Sequence, residues 1–309
     1  MLPFKVIYHP QYDLDLGPHV FPSQKFRLIH DALLAEGIAD AGDFLRPEPA
    51  LDEDILRVHT PEYVRKLRTD ALTLSERMKL EIPLTETTRE GFWLAAAGSA
   101  LAGRKALEDG FAANLSGGFH HAYPAHGEGF CMIHDVAVAI RTLQAEGKIR
   151  TAMTVDTDVH HGNGTAAIFA SDPSVYTLSI HQENNYPEPK PPSDEDIGLA
   201  DGVRDDEYLD GLEGGLVRAL KKMKPDLIFY VGGADPYRED QLGGLALTIE
   251  GLQKRDRLVF EHARRAAIPA ATTLAGGYAR RVADTVRIHV NTIVAARDVA
   301  HQLSATGST

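Results

Sequence analysis

Six short apolar segments alternate along the chain with longer segments of helical character. The short segments are rich in β-branched or aromatic residues, and most end at Gly, Pro or Asp, as buried strands do. They are Phe4–Tyr8, Ala112–Leu115, Ala152–Val155, Val175–Ile180, Leu227–Val231 and Ala270–Leu274. Strands that alternate with helices form a parallel sheet that is covered on both faces. The pattern therefore predicts a three-layer α/β sandwich with a mainly parallel central sheet.

Helices and irregular segments are predicted between these strands. The predicted helices are Gly91–Glu108, Val136–Glu146, Asp206–Met223, Gly251–Ala266 and Arg280–Leu303. The predicted N-caps are Ser23, Thr60 and Asp135, with Pro61 at a first helical position. The segments expected to be irregular are Arg46–Asp54, Asn184–Asp206 and Ala305–Thr309. The second contains prolines that neither a helix nor a central strand tolerates, so it forms either the rim of a site or a solvated connection.

Composition narrows the class of protein. Of the 309 residues, 43% are hydrophobic and 25% are charged, which suits one globular domain over residues 1–309. The net charge of −12 disfavours direct nucleic-acid binding, which needs a surface rich in Lys and Arg. The single cysteine, Cys131, cannot form an internal disulfide, and no apolar run predicts a membrane span. We expect a cytoplasmic protein without nucleic-acid or membrane partners; no pattern indicates its oligomeric state.

Polar side chains and glycines follow four of the predicted strands, at the point where each strand ends. The four blocks are Ser116-Gly-Gly-Phe-His-His121, Asp156-Thr-Asp-Val-His-His-Gly-Asn-Gly164, Gly232-Gly-Ala-Asp235 and Ala275-Gly-Gly-Tyr278. The carboxyl ends of parallel strands are where such sheets bind ligands. Glycines there let the backbone and a ligand approach closely. The convergence of these blocks predicts a functional site rather than a core.

Two of the blocks predict a metal site. Asp158 and His160 are two residues apart, so their side chains share one face of an extended segment. Asp235 follows another strand and supplies a third ligand. Three N/O ligands with an open position are typical of catalytic Zn²⁺, and Fe²⁺ accepts the same set. An Asp-x-His pair on its own fits a structural hydrogen bond equally well.

His120, His121 and Tyr278 are candidate catalytic side chains. The two histidines could deprotonate water and protonate a leaving amine, or one of them could be a buried structural residue. The Tyr278 hydroxyl could stabilise the oxyanion of a tetrahedral intermediate. Phe130, in Gly129-Phe-Cys131, could line an apolar tube. Taken singly, Tyr278 and Phe130 also fit packing positions.

These blocks resemble those of the histone deacetylase family, in the same order and across most of the chain. The stretch Asp240-Gln-Leu-Gly-Gly-Leu-Ala-Leu-Thr248 is most similar to the class IV branch. His160-His161 followed by Gly-Asn-Gly also resembles class II and bacterial members. The resemblance implies an arginase/deacetylase-like fold. It also implies hydrolysis of the amide of an N-acyl-lysine, in a peptide or protein, by metal-activated water.

The resemblance also implies a role for each matching position. The metal ligands are Asp158, His160 and Asp235. The catalytic side chains are His120, His121 and Tyr278. Asp156 orients His120, and Asn163 is the partner of His121. The walls of the substrate channel are Gly129, Phe130 and Tyr186. A monovalent cation site, for K⁺, involves Asp156, Asp158 and Ser179.

The chain departs from the class I pattern at the channel. Asn163 stands where class I members carry Asp, so His121 is expected to be less basic. Tyr186-Pro-Glu-Pro replaces Phe-Pro-Gly, and the segment Glu81–Glu90 has no aspartate to grip a substrate backbone. The alternatives are a small-molecule amidohydrolase such as an acetylpolyamine deacetylase, a fatty-acyl-lysine hydrolase, and a non-catalytic acyl-lysine-binding protein. An arginase-like enzyme with two metals would need further Asp ligands, where His161 stands instead.

Overall fold

Eight strands form one sheet in the computed structural model, which describes residues 1–302. In chain order, β1 to β8 are Lys5–Ile7, Phe44–Leu45, Phe111–Asn114, Ala152–Asp156, Val175–Gln182, Glu195–Leu199, Leu227–Val231 and Ala270–Thr273. Their order across the sheet is β2-β1-β3-β8-β7-β4-β5-β6. Every pairing between neighbouring strands is parallel. Strands β3, β8, β7 and β4, which precede the four polar blocks, are therefore consecutive neighbours.

Helices cover both faces of this sheet. In chain order, α1 to α10 are Lys25–Ala35, Asp52–Ile55, Pro61–Arg68, Leu74–Leu80, Glu86–Asp109, Asp135–Ala145, Asn163–Phe169, Asp205–Lys222, Ile249–Arg265 and Val282–His301. Helix α5 packs against α6, while α8 packs on α9, α9 on α10 and α10 on α1. Phe229 and Tyr230 are neighbours in β7 but belong to separate core clusters, because successive side chains of a strand point to opposite faces. The predicted α/β architecture is confirmed.

The six predicted strands are all present, with ends that differ by at most two residues. The prediction that Asn184–Asp206 is irregular throughout is wrong, because β6 lies within it. This edge strand alternates exposed and partly buried residues and carries Glu195 and Asp196, so it lacks the apolar character of the others. The prediction for Arg46–Asp54 is also wrong at its end, where α2 begins at Asp52. The predicted segment 305–309 lies outside the described residues.

The N-cap predictions have different outcomes. Thr60 accepts a hydrogen bond from the backbone of Tyr63, and Pro61 begins α3, as predicted. Ser23 is not a cap, because its hydroxyl donates to the carbonyl of Leu14 at 2.6 Å and α1 begins after Gln24.

None of the helices in residues 1–302 is both long and apolar enough to cross a membrane.

The prediction that Asp135 caps α6 is also wrong, since the His134 side chain does so and Asp135 is the first helical residue. The buried Asp135 carboxylate instead accepts the backbone N–H groups of Gly118, at 3.1 Å, and Phe119, at 2.8 Å. The start of α6 therefore holds the glycine-rich block that leads into His120.

His59 is a second buried histidine, and it connects two loops through hydrogen bonds to their backbones. Its Nδ1 lies 3.1 Å from the carbonyl oxygen of Tyr123, and its Nε2 accepts the backbone N–H of His134 at 3.0 Å. Burial lowers the pKa of His59 to about 4, although the neighbouring carbonyl groups oppose the shift. The neutral imidazole bridges the two loops because one ring nitrogen donates while the other accepts.

Candidate active site

Three of the four strand-end blocks line one channel, and the fourth places Asp235 beside Asp158 and His160. The inner part of the channel is lined by residues of these three blocks, among them His120, His121, Asp158, His160 and Tyr278. Its outer part is lined by Phe130, Tyr186, Glu81 and Leu242, together with the outer faces of His121, His160 and Tyr278. Sequence positions that are far apart thus form one cleft, as the strand-end rule predicts.

Asp158, His160 and Asp235 form a buried cluster whose possible ligand atoms all lie within 4.8 Å of one another. Nδ1 of His160 is 3.0 Å from Oδ1 of Asp158 and 3.4 Å from Oδ2 of Asp235. Backbone N–H groups orient the carboxylates: Gly276 donates to Asp158 at 2.8 Å, and Val159 donates to Asp235 at 2.8 Å. The three predicted ligands are therefore brought together and held in place.

The same cluster is suited to a divalent cation. Oδ2 of Asp235 is buried and has no hydrogen-bond partner within residues 1–302. Burial and the charge of Asp158 raise the pKa of Asp235 to about 7, because two carboxylates share a dry space. A side chain at Gly276 would collide with both carboxylates. An N/O donor set with a free carboxylate oxygen and a glycine-lined space fits Zn²⁺ or a similar ion.

A second cluster of possible ligands, His161, His181 and Asp196, differs in this respect. Nε2 of His161 lies 3.2 Å from Oδ1 of Asp196, and Oδ2 of Asp196 accepts the backbone N–H of Ser193 at 2.8 Å. Both carboxylate oxygens already have protein partners. We therefore take the first cluster as the candidate metal centre.

The predicted K⁺ site remains a prediction. Asp156 and Ser179 lie opposite each other on β4 and β5. However, Oγ of Ser179 is hydrogen-bonded to Nδ1 of His181 at 2.9 Å, and Oδ1 of Asp156 accepts the backbone N–H of Asp158 at 3.1 Å.

His120 and His121 both line the inner channel. The sequence-based expectation that adjacent residues face opposite ways applies to an extended strand, but these residues lie in a turn beyond β3. Their ring centroids are 4.1 Å apart. Nδ1 of His120 lies 2.7 Å from Asp156, and Nδ1 of His121 lies 2.7 Å from Oδ1 of Asn163. Each histidine thus has its predicted partner.

The two histidines differ in basicity. Burial alone would lower the pKa of His120, but the carboxylates of Asp156 and Asp158 outweigh it and raise the pKa to about 9. Burial and the charges of His120 and His160 hold the pKa of His121 well below its ordinary value. A neutral Asn163 cannot offset this as a carboxylate would. His121 is therefore the neutral imidazole of the pair, in line with the expectation that it is less basic.

Tyr278 presents a free hydroxyl to the channel. None of residues 1–302 hydrogen-bonds this hydroxyl, whereas the backbone N–H of Tyr278 donates to Asp240 at 2.6 Å. Burial and the charges of Asp158 and Asp235 raise the pKa of Tyr278 well above its ordinary value, so the O–H stays available as a donor. Asp240 also accepts the backbone N–H of Leu242 at 2.8 Å. Sequence reasoning did not assign Asp240 this role, although the residue opens a motif of the resemblance.

This arrangement agrees with the comparisons with known proteins. The Histone deacetylase domain family matches residues 19–293. The chain belongs to the histone deacetylase family. Histone deacetylase 2 of Arabidopsis thaliana is 30% identical over 300 residues, which are 91% of this chain and 77% of that protein. An uncharacterised protein of Picosynechococcus sp. is 41% identical over 297 residues, 96% of this chain and 99% of the relative.

Solved structures agree on the fold. The crystal structure of an HDAC homologue from Aquifex aeolicus has a TM-score of 0.80 and covers 96% of this chain and 88% of its own. At 24% identity, this likeness concerns the fold alone. The expected arginase/deacetylase-like architecture is confirmed, and the chain is a hydrolase of the histone deacetylase family.

A tight turn shapes the channel wall of this deacetylase-family protein. The backbone N–H of Cys131 donates to the carbonyl of Glu128 at 2.9 Å, and both central residues have positive φ, +54° at Gly129 and +67° at Phe130. These signs are those of a type I′ turn. A side chain at Gly129 would press on the rings of His121 and Tyr186. The turn therefore lets three predicted site residues, Phe130 among them, pack around one opening.

Glu128, at the start of this turn, is a site residue that sequence reasoning missed. Its Oε1 accepts the side-chain N–H of Asn163 at 2.6 Å and the hydroxyl of Tyr186 at 3.1 Å. Its Oε2 lies 2.9 Å from Nε2 of His126. Burial acts to raise the pKa of Glu128, but these three hydrogen bonds hold it below its ordinary value. The sequence feature that could have indicated Glu128 is its position as an acidic residue between two glycines.

Proposed function

We propose that this protein is a metal-dependent deacetylase that hydrolyses the amide of an N-acetylated lysine or a similarly acylated primary amine. The observation that carries the proposal is a carboxylate oxygen of Asp235 that has no hydrogen-bond partner within residues 1–302, in a cluster beside a neutral histidine and a tyrosine hydroxyl that none of these residues hydrogen-bonds. Lewis acid, base and oxyanion donor together are what amide hydrolysis needs. The overall reaction converts the amide and water into a carboxylate and a free amine.

Asp158, His160 and Asp235 would hold the metal ion. When bound, Zn²⁺ or Fe²⁺ supplies Lewis acidity toward the acyl carbonyl and toward water. The protein contributes the fixed orientation of the ligands through the backbone N–H groups described above.

The remaining polar side chains handle protons and charge. His121 donates from Nδ1 to Asn163, so Nε2 of its neutral ring carries the lone pair that accepts a proton from the attacking water. The same nitrogen then returns that proton to the departing amine. His120, whose Nδ1 is hydrogen-bonded to the Asp156 carboxylate at 2.7 Å, stabilises negative charge at the reacting centre when it is protonated. The hydroxyl of Tyr278 donates a hydrogen bond to the oxygen that becomes negative in the transition state.

The space around the cluster favours a short acyl group. The inner channel, whose lining also includes Phe21, Phe26 and Gly118, has a free volume of about 30 Å³. A single water needs about 10–15 Å³ of such space, so an acetyl methyl group fits and a long acyl chain does not. The buried ammonium of Lys25 packs against this part of the lining, with Nζ 5.4 Å from the ring centroids of both Phe21 and Phe26. Acetyl-lysine is therefore the better candidate than fatty-acyl-lysine.

The channel mouth supports a second candidate substrate. Glu81 is the acidic side chain that lines the outer channel beside Tyr186 and Leu242. A carboxylate there attracts a cationic group located a few bonds beyond the scissile amide. An acetylated polyamine carries such a group, as does a lysine-rich peptide. This observation keeps acetylpolyamine hydrolysis as the alternative.

The test is hydrolysis of a matched lysine series by metal-loaded protein. Acetyl-, octanoyl- and myristoyl-lysine peptides and acetylspermidine are compared, each with and without a chelator. The proposal expects chelator-sensitive cleavage that is fastest for acetyl-lysine. Selective cleavage of acetylspermidine would favour the alternative. Metal-loaded protein that cleaves none of these substrates would contradict the proposed activity.

A further inference from the structure

We propose that Glu128 is a positioning residue that fixes the amide orientation of Asn163, the tautomer of His121 and the position of the Tyr186 wall. The proposal rests on the proposed role of His121 as a base. Its evidence is a continuous chain of hydrogen bonds from the channel to a carboxylate: His121 to Asn163 at 2.7 Å and Asn163 to Glu128 at 2.6 Å.

The amide of Asn163 has two possible orientations, related by a flip that exchanges its oxygen and nitrogen. In one, Oδ1 faces His121 and Nδ2 donates to Glu128. In the other, the oxygen of Asn163 faces a carboxylate oxygen at hydrogen-bond distance. An ionised carboxylate is an acceptor only, so the second orientation sets two acceptors against each other. The hydrogen bonds from His126 and Tyr186 keep Glu128 ionised, and the amide is locked.

The locked amide determines where His121 carries its proton. Because Asn163 presents an oxygen, Nδ1 of His121 must donate, and Nε2 is left with a lone pair. With the amide flipped, Nδ1 would accept and the proton would move to Nε2, where it blocks proton abstraction. The charge of Glu128 therefore acts on His121 through an uncharged intermediary.

The same carboxylate also positions the channel wall. Tyr186 is 38% exposed at the rim, yet its hydroxyl donates to the Glu128 oxygen that accepts from Asn163. The Tyr186 ring lies 4.9 Å from the His121 ring, centroid to centroid, in an edge-to-face contact. Substrate that displaces Tyr186 would thus perturb the partner of His121. Glu128 couples the wall to the base.

The first test exchanges the two polar groups. Glu128→Gln, Asn163→Asp and the double variant are compared with wild type in steady-state hydrolysis of an acetyl-lysine peptide. Glu128→Gln permits the amide flip, and Asn163→Asp sets two carboxylates against each other. We expect each single variant to lower kcat about tenfold, a part of the 10²–10⁴-fold that a base contributes, with a smaller change in KM. The double variant restores one donor facing one acceptor and is expected to recover kcat to within about threefold of wild type.

The second test needs no substrate. In protein with ¹⁵N-labelled histidine, the His121 resonances, assigned with a His121→Gln variant, report which ring nitrogen carries the proton. Wild type and the double variant are expected to carry it on Nδ1, and Glu128→Gln to populate the other tautomer. Glu146→Gln is the matched control, because Glu146 pairs with Arg104 at a distant surface.

Losses that simply add in the double variant, or an unchanged His121 tautomer in Glu128→Gln, would overturn the proposal. The two tests also separate its failure from that of the proposed function. If wild-type protein hydrolyses no acylated amine, the function is wrong, yet the tautomer spectra still decide the role of Glu128.

Discussion

The Tyr278→Phe substitution should separate catalysis from stability. It removes one oxygen that none of residues 1–302 hydrogen-bonds, so no intramolecular hydrogen bond is lost and the free energy of unfolding should change by less than about 0.5 kcal/mol. If the hydroxyl stabilises the oxyanion, its loss should lower kcat about 10²–10³-fold, equivalent to about 2.7–4 kcal/mol of transition-state stabilisation. KM should change little, because the oxyanion exists only in the transition state.

The assay compares steady-state hydrolysis of an acetyl-lysine peptide with denaturant unfolding for the same preparations. Tyr230→Phe is the matched control, because it should reduce stability much more than activity. The Tyr230 hydroxyl is buried, donates to the carboxylate of Asp256 and accepts from the hydroxyl of Thr157 at 3.3 Å, and Tyr230 is not part of the channel lining. Its removal should cost about 1–3 kcal/mol of stability and lower kcat far less than Tyr278→Phe does. The reasoning is refuted if Tyr278→Phe keeps kcat within threefold of wild type, or if it destabilises as much as Tyr230→Phe.

Three further predictions concern the metal, pH and the channel mouth. Asp235→Asn should abolish stoichiometric Zn²⁺ binding in metal analysis, whereas Asp196→Asn should retain it. The pKa of His59 is about 4 in the folded state against about 6.5 unfolded, so its contribution to stability falls as pH drops from about 6.5 to 4. Between pH 7 and 5, the free energy of unfolding of wild-type protein in chelator should fall by about 2 kcal/mol more than that of His59→Gln. The control His301→Gln, which changes a residue at an exposed helix end, should behave like wild type. Glu81→Gln should raise KM for acetylspermidine up to about fivefold, and more than for a neutral acetyl-lysine peptide.

The sequence could predict the candidate metal ligands because their signal is local. Asp158 and His160 share a face through their spacing, and Asp235 closes another strand. The strand-end rule then brings distant blocks together without any knowledge of contacts. It holds here because β3, β8, β7 and β4 are consecutive in the sheet. It was harder to predict that His120 and His121 both face the channel, because this depends on a turn whose form no short-range pattern specifies.

Glu128 and Asp240 could not be predicted in the same way. Glu128 meets Asn163 across 35 residues, and Asp240 meets Tyr278 across 38. Neither contact follows from periodicity or spacing, because each depends on where a loop crosses the sheet edge. Edge strand β6 was missed for a related reason: it is only partly buried, so burial imposes little pattern on its residues.

Asn163 shows why a departure from a family pattern has to be interpreted together with its neighbours. From the sequence alone, an uncharged residue beside His121 implies a weaker base. A carboxylate accepts a hydrogen bond in any orientation, whereas an amide does so on one side only, so replacing Asp with Asn also creates a need for orientation. Glu128 meets that need from 2.6 Å away. The charge that class I members place next to the histidine therefore stands one residue further out, and its influence on His121 depends on a hydrogen-bond direction.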